Sequence, residues 1–458
     1  MTGPQLMPTP TPTLQQIASR IEGYDPNALP VEQAQAFIRA LVPCVQTMEH
    51  LPIRSALGRV LARDIVSRSN VPAADNSAMD GYALRGTDLA AHADTPLRSI
   101  GTGFAGAAFA GSVGPGECVR IMTGTVMPDG LDTVVPQEFV RVDGDRVTVP
   151  AGAVRPGDNR RFAGEDLARG DAALKAGRVL RPADIGLLAS LGQAEVAVWR
   201  RVRVAFFSTG NELRPVGEPL DAGSVYDSNR YTLWAMLQRL GVEPIDMGVV
   251  RDDPLQLEAA FLQAAASADA IITSGGVSVG EADHTKQVMA RLGDVLFWRI
   301  AMRPGRPMAI GRMAGDSRQQ SGQLSSQHSA QRSGQNSEQA GGAILFGLPG
   351  NPVAVMVTFY AFVREALLAM GGATPEPLPL LRAASSSAIR KKPGRTEYQR
   401  GFVSRTAGSE WQVAVGSAQG SGILRSMSEA NGLIVLHHAQ GDVAAGEMVD
   451  VLPFDGLM

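Results

Sequence analysis

In Ser274-Gly275-Gly276-Val277-Ser278-Val279-Gly280-Glu281-Ala282-Asp283, hydroxyls, three glycines and two carboxylates follow directly on the apolar run Ile271-Ile272-Thr273. The pattern suits capture of an anion together with a metal ion. β-Branched residues favour a strand, and Gly275, Gly276 and Gly280 let backbone N–H groups approach a ligand at dihedrals closed to other residues. Asp283 then opens a helical run whose first-turn amides are free to hold a phosphate. A lone Gly-Gly pair reads equally well as a tight βα turn that binds nothing. Further carboxylates argue against that plainer reading: Glu212 in Ser208-Thr209-Gly210-Asn211-Glu212-Leu213, then Asp227 and Asp252. A hard ion such as Mg²⁺ is held by one or two carboxylates plus substrate oxygens and water. Asp227 and Asp252 have a competing role as helix N-caps, whereas Glu212 and Asp283 do not. Arg303-Pro304-Gly305-Arg306-Pro307 sets two guanidinium groups around a stiff turn, an arrangement suited to a tetrahedral oxyanion or a phosphate, although surface decoration is the ordinary alternative. Asp80, beside Gly81 in Asn76-Ser77-Ala78-Met79-Asp80-Gly81-Tyr82, would by itself be a turn residue.

These groups need strand ends to position them. From Val202 the pattern alternates strand and helix: 202–207, helix 230–240, strand 243–250, helix 254–266, strand 270–273, and a helix from 283. This predicts a mostly parallel, three-layer α/β domain whose ligands lie at the carboxyl ends of its strands. The strand 343–346 leads through Gly347-Leu348-Pro349-Gly350-Asn351-Pro352 into a helix 352–370, with Asn351 placed to cap and Pro352 at the tolerated first position. That helix is apolar nearly all round and should be buried between layers. Between residues 65 and 149 short β-rich runs broken by Gly and Pro predict a small β domain. A helix at 31–50, disturbed at its end by Pro43, could join a helix at 182–191 and a strand at 195–199 in a discontinuous unit. Strands with glycine turns after the Pro375, Pro377 and Pro379 linker predict a C-terminal β domain.

With 458 residues, 44% hydrophobic and 19% charged, the chain is long enough for roughly three domains. Its net charge of −3, with the signs interspersed, gives no field that would recruit nucleic acid or an anionic membrane. Cys44 and Cys118 are far apart and the six histidines form no ligand set, so no zinc site is expected and a reducing compartment fits. The Pro-, Thr- and Gln-rich start, residues 1–30, reads as a flexible tail and not a signal peptide, and no apolar run of about 18 residues spans a bilayer. Cytoplasm is the expected location. The Ser/Gln/Gly-rich stretch 315–342 reads as a disordered insertion.

Seven segments, in order, resemble the molybdopterin molybdenumtransferase family, which includes the E domain of gephyrin. They are Asn76–Ala83, Ile121–Gly124, Ser208–Leu213, Tyr226–Arg230, Ser274–Asp283, Arg303–Pro307 and Gly347–Val353. The resemblance runs from about residue 30 to the end. It implies an elongated homodimer of four-domain subunits with an active site shared across them: 31–67 with 164–200 as an elongated dimerisation domain, 68–163 β-rich, 201–376 binding molybdopterin, and 377–458 a β-barrel-like domain. The implied reaction inserts molybdate into adenylyl-molybdopterin and releases AMP with Mg²⁺. By resemblance, Glu212, Asp252 and Asp283 are the metal and pterin-phosphate set. Asp80 and Thr123 come from the partner's β domain, with Asp166 nearby, and these join Glu212 and Asp283 as the catalytic group. Arg303, Arg306, Arg395 and Ser421, beside Pro349 and Pro352, form the molybdate side. Asp227, Ser274, Gly275, Gly276 and Ser278 complete the substrate contacts. The molybdopterin adenylyltransferase and the molybdoenzymes that accept the cofactor are the implied transient partners.

Two departures stand out. The family often has Lys where this chain has Arg303 and Arg306, and the insertion falls between that turn and the Pro349 loop. A molybdopterin adenylyltransferase is the nearest rival, but its Gly-Gly-Thr-Gly loop is Gly275-Gly276-Val277-Ser278 here. A non-enzymatic scaffold would leave the carboxylates idle, and no Gly-Lys-Ser/Thr supports a P-loop nucleotidase.

Overall fold

The computed structural model describes residues 12–277, 284–314, 342–405, 408 and 410–454. Ser278, Gly280, Glu281, Asp283 and the 315–342 insertion, apart from Gly342, therefore lie outside the described residues. One compact unit is drawn from Met1–Glu49, Gly58–Val60 and Val198–Met458, the other from His50–Leu57 and Leu61–Ala197.

In the first unit, β1 (Arg203–Thr209), β2 (Glu243–Val250), β3 (Ala270–Ser274), β4 (Gly293–Arg299), β5 (Pro307–Met313) and β6 (Ala343–Leu348) form one sheet in the order β2-β1-β3-β6-β5-β4. β2, β1, β3 and β6 run parallel, while β5 and β4 are antiparallel. Every residue of β3 and β6 is buried, which is why their sequences are unbroken apolar runs and not alternating ones. Alternate side chains of β1 feed opposite layers. Val204 and Phe206 pack with Leu233, Phe359 and Phe362, and Ala205 and Phe207 pack with Leu257, Phe261 and Met289.

The helices are α1 (Leu14–Ala18), α2 (Val31–Leu41), α3 (Ser228–Leu240), α4 (Pro254–Ser267), α5 (His284–Leu292) and α6 (Pro352–Met370). α3 starts at Asp227, whose carboxylate accepts from the Arg230 amide, and ends at left-handed Gly241. α4 starts at Asp253 with Pro254 at its first position. α6 is long and apolar enough to cross a bilayer, contrary to the expectation that no such run exists. Yet 72% of its apolar stretch is buried inside this unit, as expected of a core helix. Its middle, Phe359–Val363, is a π turn.

Two expectations about the start of the chain are corrected. Residues 12–30 are not a free tail, because α1 opens with a Thr13/Gln16 capping box and puts Leu14 and Ile17 into the core. The Arg312 guanidinium ties this segment down by donating to the Pro12 carbonyl at 2.8 Å and the Leu41 carbonyl at 3.2 Å. α2 belongs to the α/β unit and not to the discontinuous one. Phe37 meets Trp298 edge-on at 5.0 Å, Gln35 donates to the Ala361 carbonyl, and Arg39 pairs with Glu365 at 2.8 Å.

After α6, the strands Leu381–Ser385, Thr396–Arg405, Trp411–Val415, Gly432–Leu436 and Met448–Pro453 close into a five-stranded barrel, as expected of the C-terminal region. A short strand, Met302–Arg303, adds to it in parallel beside Thr396–Glu397. The second unit carries a six-stranded sheet, in spatial order Thr133–Pro136, Gly81–Leu84, Glu117–Ile121, Thr95–Gly103, Arg146–Val149 and Arg141–Asp143. It also holds the small pairings of Ile65–Val66 with Ala172–Leu174 and of Asn76–Ser77 with Arg160–Arg161.

Candidate active site

The chain leaves β1 through α3 to β2 on one side, then crosses through α4 to β3 on the other. The carboxyl ends of β1 and β3 therefore flank the point where the strand order reverses, the usual place for a ligand crevice. Gly275 and Gly276 lie there with φ of 95° and 66°. A Cβ on Gly275 would stand 2.6 Å from the Thr209 carbonyl oxygen, and one on Gly276 2.5 Å from the Thr285 side chain. Only glycine allows this approach between β1, the β3 loop and α5.

Glu212 is exposed, and its carboxylate folds back to within 2.7 Å of where a Cβ on Gly210 would be. The Asn211 side-chain oxygen accepts from the Asp252 amide at 3.2 Å and so ties the loops after β1 and β2 together. Asp253, not Asp252, caps α4, accepting from Leu255 and Gln256 at 3.1 and 3.0 Å. Asp252 is left with a buried Oδ1 that has no hydrogen-bond partner among the described residues. A buried carboxylate oxygen in that state costs free energy unless a cation or donor meets it, so Glu212 and Asp252 fit a hard divalent ion. Among the described residues no three acidic, histidine or cysteine side chains gather as a metal set, and the third expected ligand, Asp283, lies outside them.

Asp227 is 1% exposed and caps α3: its Oδ1 accepts from the Ser208 hydroxyl at 2.9 Å and the Arg230 amide at 3.2 Å. Its Oδ2 lies 3.3 Å from the Arg230 guanidinium and, like Asp252 Oδ1, is buried with no hydrogen-bond partner among the described residues. Ser274, also buried, accepts from Asn229 Nδ2 at 2.8 Å, and the same amide nitrogen donates to the Gly350 carbonyl at 2.7 Å. Asn229 sits inside the Tyr226–Arg230 motif but was given no role from sequence.

The opposite end is cationic. Arg303 and Arg306 are exposed, and neither pairs with a carboxylate among the described residues. Arg303 stands in register with Glu397, which is 3% exposed and accepts from Arg395 Nε at 2.8 Å and Gln399 at 3.1 Å. Arg395 is thus oriented by its own partner while remaining partly exposed. The Ser421 hydroxyl accepts from Asn351 Nδ2 at 3.0 Å, and its carbonyl accepts from the Val353 amide at 3.1 Å. Asn351 therefore occupies the N-cap position of α6 without capping it, contrary to expectation, because its amide reaches Ser421 instead. Pro349 is buried at the end of β6, and Pro352 opens α6. Sequence reading missed Arg400, 1% exposed, whose guanidinium donates to Ser426 at 3.1 Å and to the Ala418 and Gly420 carbonyls at 2.9 and 3.0 Å. It holds the loop that carries Ser421, and burial, with the charge of Arg303 second, pulls its pKa down.

Asp80, Thr123 and Asp166 all lie in the second unit. Asp80 Oδ1 accepts from the Thr123 amide at 2.7 Å and its hydroxyl at 2.8 Å, which holds the exposed carboxyl below the usual carboxylate range. Asp75, not foreseen from sequence, accepts from the Ala163 amide at 2.7 Å and Arg160 Nε at 2.8 Å, fixing the turn that leads to exposed Asp166.

Three family models match in succession: "MoeA N-terminal region (domain I and II)" over residues 29–192, "Probable molybdopterin binding domain" over 205–369, and "MoeA C-terminal region (domain IV)" over 382–454. A Haemophilus influenzae protein named molybdopterin molybdenumtransferase is 38% identical over 94% of this chain and 100% of its own length. A namesake from Nostoc sp. is 35% identical over 89% of both chains. The crystal structure of a molybdopterin biosynthesis moeA protein from Pyrococcus horikoshii superposes with a TM-score of 0.73 at 27% identity, covering 93% of this chain and 99% of that one.

Proposed function

This chain belongs to the molybdopterin molybdenumtransferase family, and on that premise we propose that it inserts molybdate into adenylyl-molybdopterin, with release of AMP and with the help of Mg²⁺. It is a transferase of molybdenum cofactor biosynthesis. The observation that carries the finer reading is the division of one unit's strand-end surface. Glu212 and the unpartnered Asp252 stand at the β1 and β2 ends, and Arg303, Arg306, Arg395 and Ser421 gather by the barrel.

Each side suits one substrate end. Exposed guanidinium and hydroxyl donors match the tetrahedral molybdate dianion, and Glu397 and Arg400 keep Arg395 and the Ser421 loop in place so that little reorganisation is left for the reaction. Glu212 and Asp252 would hold Mg²⁺, which would neutralise charge on the phosphoanhydride. The Gly275–Gly276 loop offers the pterin-phosphate end a close backbone approach. Water cleaves the phosphoanhydride so that AMP leaves and the pterin phosphate remains, and the two pterin thiols bind molybdenum with one molybdate oxide departing as water carrying their protons. A homodimer whose partner copy supplies Asp80, Thr123 and Asp166 belongs to the same proposal, supported by the resemblance of the Asn76–Ala83 and Ile121–Gly124 motifs. So does a cytoplasmic location, supported by two free cysteines.

Purified protein incubated with adenylyl-molybdopterin, Mg²⁺ and molybdate should release AMP in a molybdate-dependent way and yield cofactor that reconstitutes a molybdenum-dependent reductase. Adenylate bound but left intact would overturn the transferase reading in favour of a carrier, and synthesis of the adenylate from ATP and molybdopterin would overturn it in favour of an adenylyltransferase.

A further inference from the structure

Asn229 lies in the first turn of α3 and is neither one of the carboxylates nor one of the guanidinium groups of the site described above. Its single amide nitrogen nevertheless joins two strand ends, donating to the Ser274 hydroxyl at 2.8 Å and to the Gly350 carbonyl at 2.7 Å. Both donor hydrogens are used, which fixes which way round the amide sits, and its Oδ1 is buried with no partner among the described residues. α3 itself is anchored to the end of β1 through Asp227 and Ser208. From Gly350 the chain passes to Asn351, which donates to Ser421, whose loop is held in turn by Arg400. A continuous run of short polar contacts thus connects the β1 end, where the Glu212 loop begins, to the oxyanion side, and Asn229 is the only side chain among the described residues seen to bridge the β3 end and the Gly350 loop.

We propose that Asn229 is a positioning residue that sets the separation between the carboxylate end and the guanidinium end of the site, by clamping the Pro349–Pro352 turn that follows β6 against the carboxyl end of β3. This rests on the transferase reading and adds to it a determinant of alignment between the two substrates. Loss of the clamp would let the loop drift. A displacement of about 1 Å between reacting groups is enough to cost on the order of 100-fold in rate while each substrate still binds its own end.

The test compares Asn229→Ala and Asn229→Asp with the wild-type full chain. In Asn229→Asp the carboxylate can accept from Ser274 but offers the Gly350 carbonyl no donor, so only one of the two contacts can be rebuilt. The expected result is a fall of about 10- to 100-fold in kcat for molybdate-dependent AMP release in both variants. KM for molybdate and for the adenylate should each change less than about threefold, and exchange of the Gly350 and Asn351 amides should speed up without any substrate present. Turnover within twofold of wild type, recovery in Asn229→Asp, or a loss confined to one substrate's KM would each overturn the inference. Amide exchange at 350–351 is read without catalysis. A wild-type chain that releases no AMP would therefore count against the transferase reading, while unchanged exchange in both variants would count against the clamp.

Discussion

Two regions of the molecule hold candidate catalytic carboxylates, and they hold them in different ways. In the α/β unit the groups follow the ends of β1 and β2 in a sheet whose central strands β3 and β6 are wholly buried, and the neighbouring β3 loop is packed so closely that a methyl group on Gly275 or Gly276 would collide. In the second unit Asp80 and Asp166 sit on exposed loops beside two-residue strands, and hydrogen bonds to carboxylates do the positioning: Thr123 on Asp80, and Ala163 with Arg160 on Asp75. The first region is therefore sensitive to volume, the second to charge.

Gly276→Ala gives that contrast its severest trial. The added methyl meets Thr285 at a left-handed φ of 66°, so a destabilisation of about 2–4 kcal/mol is expected, seen as a lower apparent melting temperature together with lost turnover. An unaltered melting curve would show that the β3 loop is softer than its packing suggests. A finer division lies within the α/β unit, between neighbouring carboxylates. Asp253→Asn keeps a capping side chain and should change stability by less than about 1 kcal/mol with activity intact. Asp252→Asn should leave stability alone and weaken Mg²⁺ dependence, lowering turnover by ~100-fold at limiting Mg²⁺. Titration of both variants with Mg²⁺ would reverse the assignment if Asp253 proved the sensitive one.

The smallest effect belongs to the second unit. In Thr123→Val the amide contact to Asp80 survives and the hydroxyl contact does not, so the Asp80 pKa should rise part of the way back to its ordinary value. Because the folded-state pKa is the depressed one, the contribution of ionised Asp80 is complete above the unfolded value and is lost as pH falls through the folded value. The variant should lose it at higher pH than the wild type, as read from the Asp80 carboxyl carbon signal against pH. Coincident titration curves would mean that the backbone amide alone sets the shift.

Strands were the most legible elements: 243–250 and 195–199 have in the structure the bounds their sequence implies, and the wholly buried strands 270–274 and 343–348 show as largely apolar runs. Periodicity says which face of a helix is buried but not against what, and so α2 was assigned to the wrong neighbour until Phe37 was seen against Trp298. A five-residue helix that buries only Leu14 and Ile17 is too short to show a period at all, which is how the start of the chain passed for a tail. Among the site residues, Glu212, Arg303 and Arg306 show no cap or ion pair among the described residues. Asp227 and Asp252 could not be told apart, because whether a carboxylate caps a helix or faces outward depends on a shift of one residue at the helix start. Arg400 and Asn229 left no signal as single residues, since their value comes from carbonyls far away in sequence.

Arg303 reaches the oxyanion side as the second residue of the two-residue strand Met302–Arg303, which is hydrogen-bonded into the C-terminal barrel and not into the sheet it follows. The barrel is thus no detachable appendage. Its edge is the splint on which the cationic turn is set, and a chain cut before residue 381 would keep its α/β sheet but lose the footing of Arg303 along with Arg395 and Ser421.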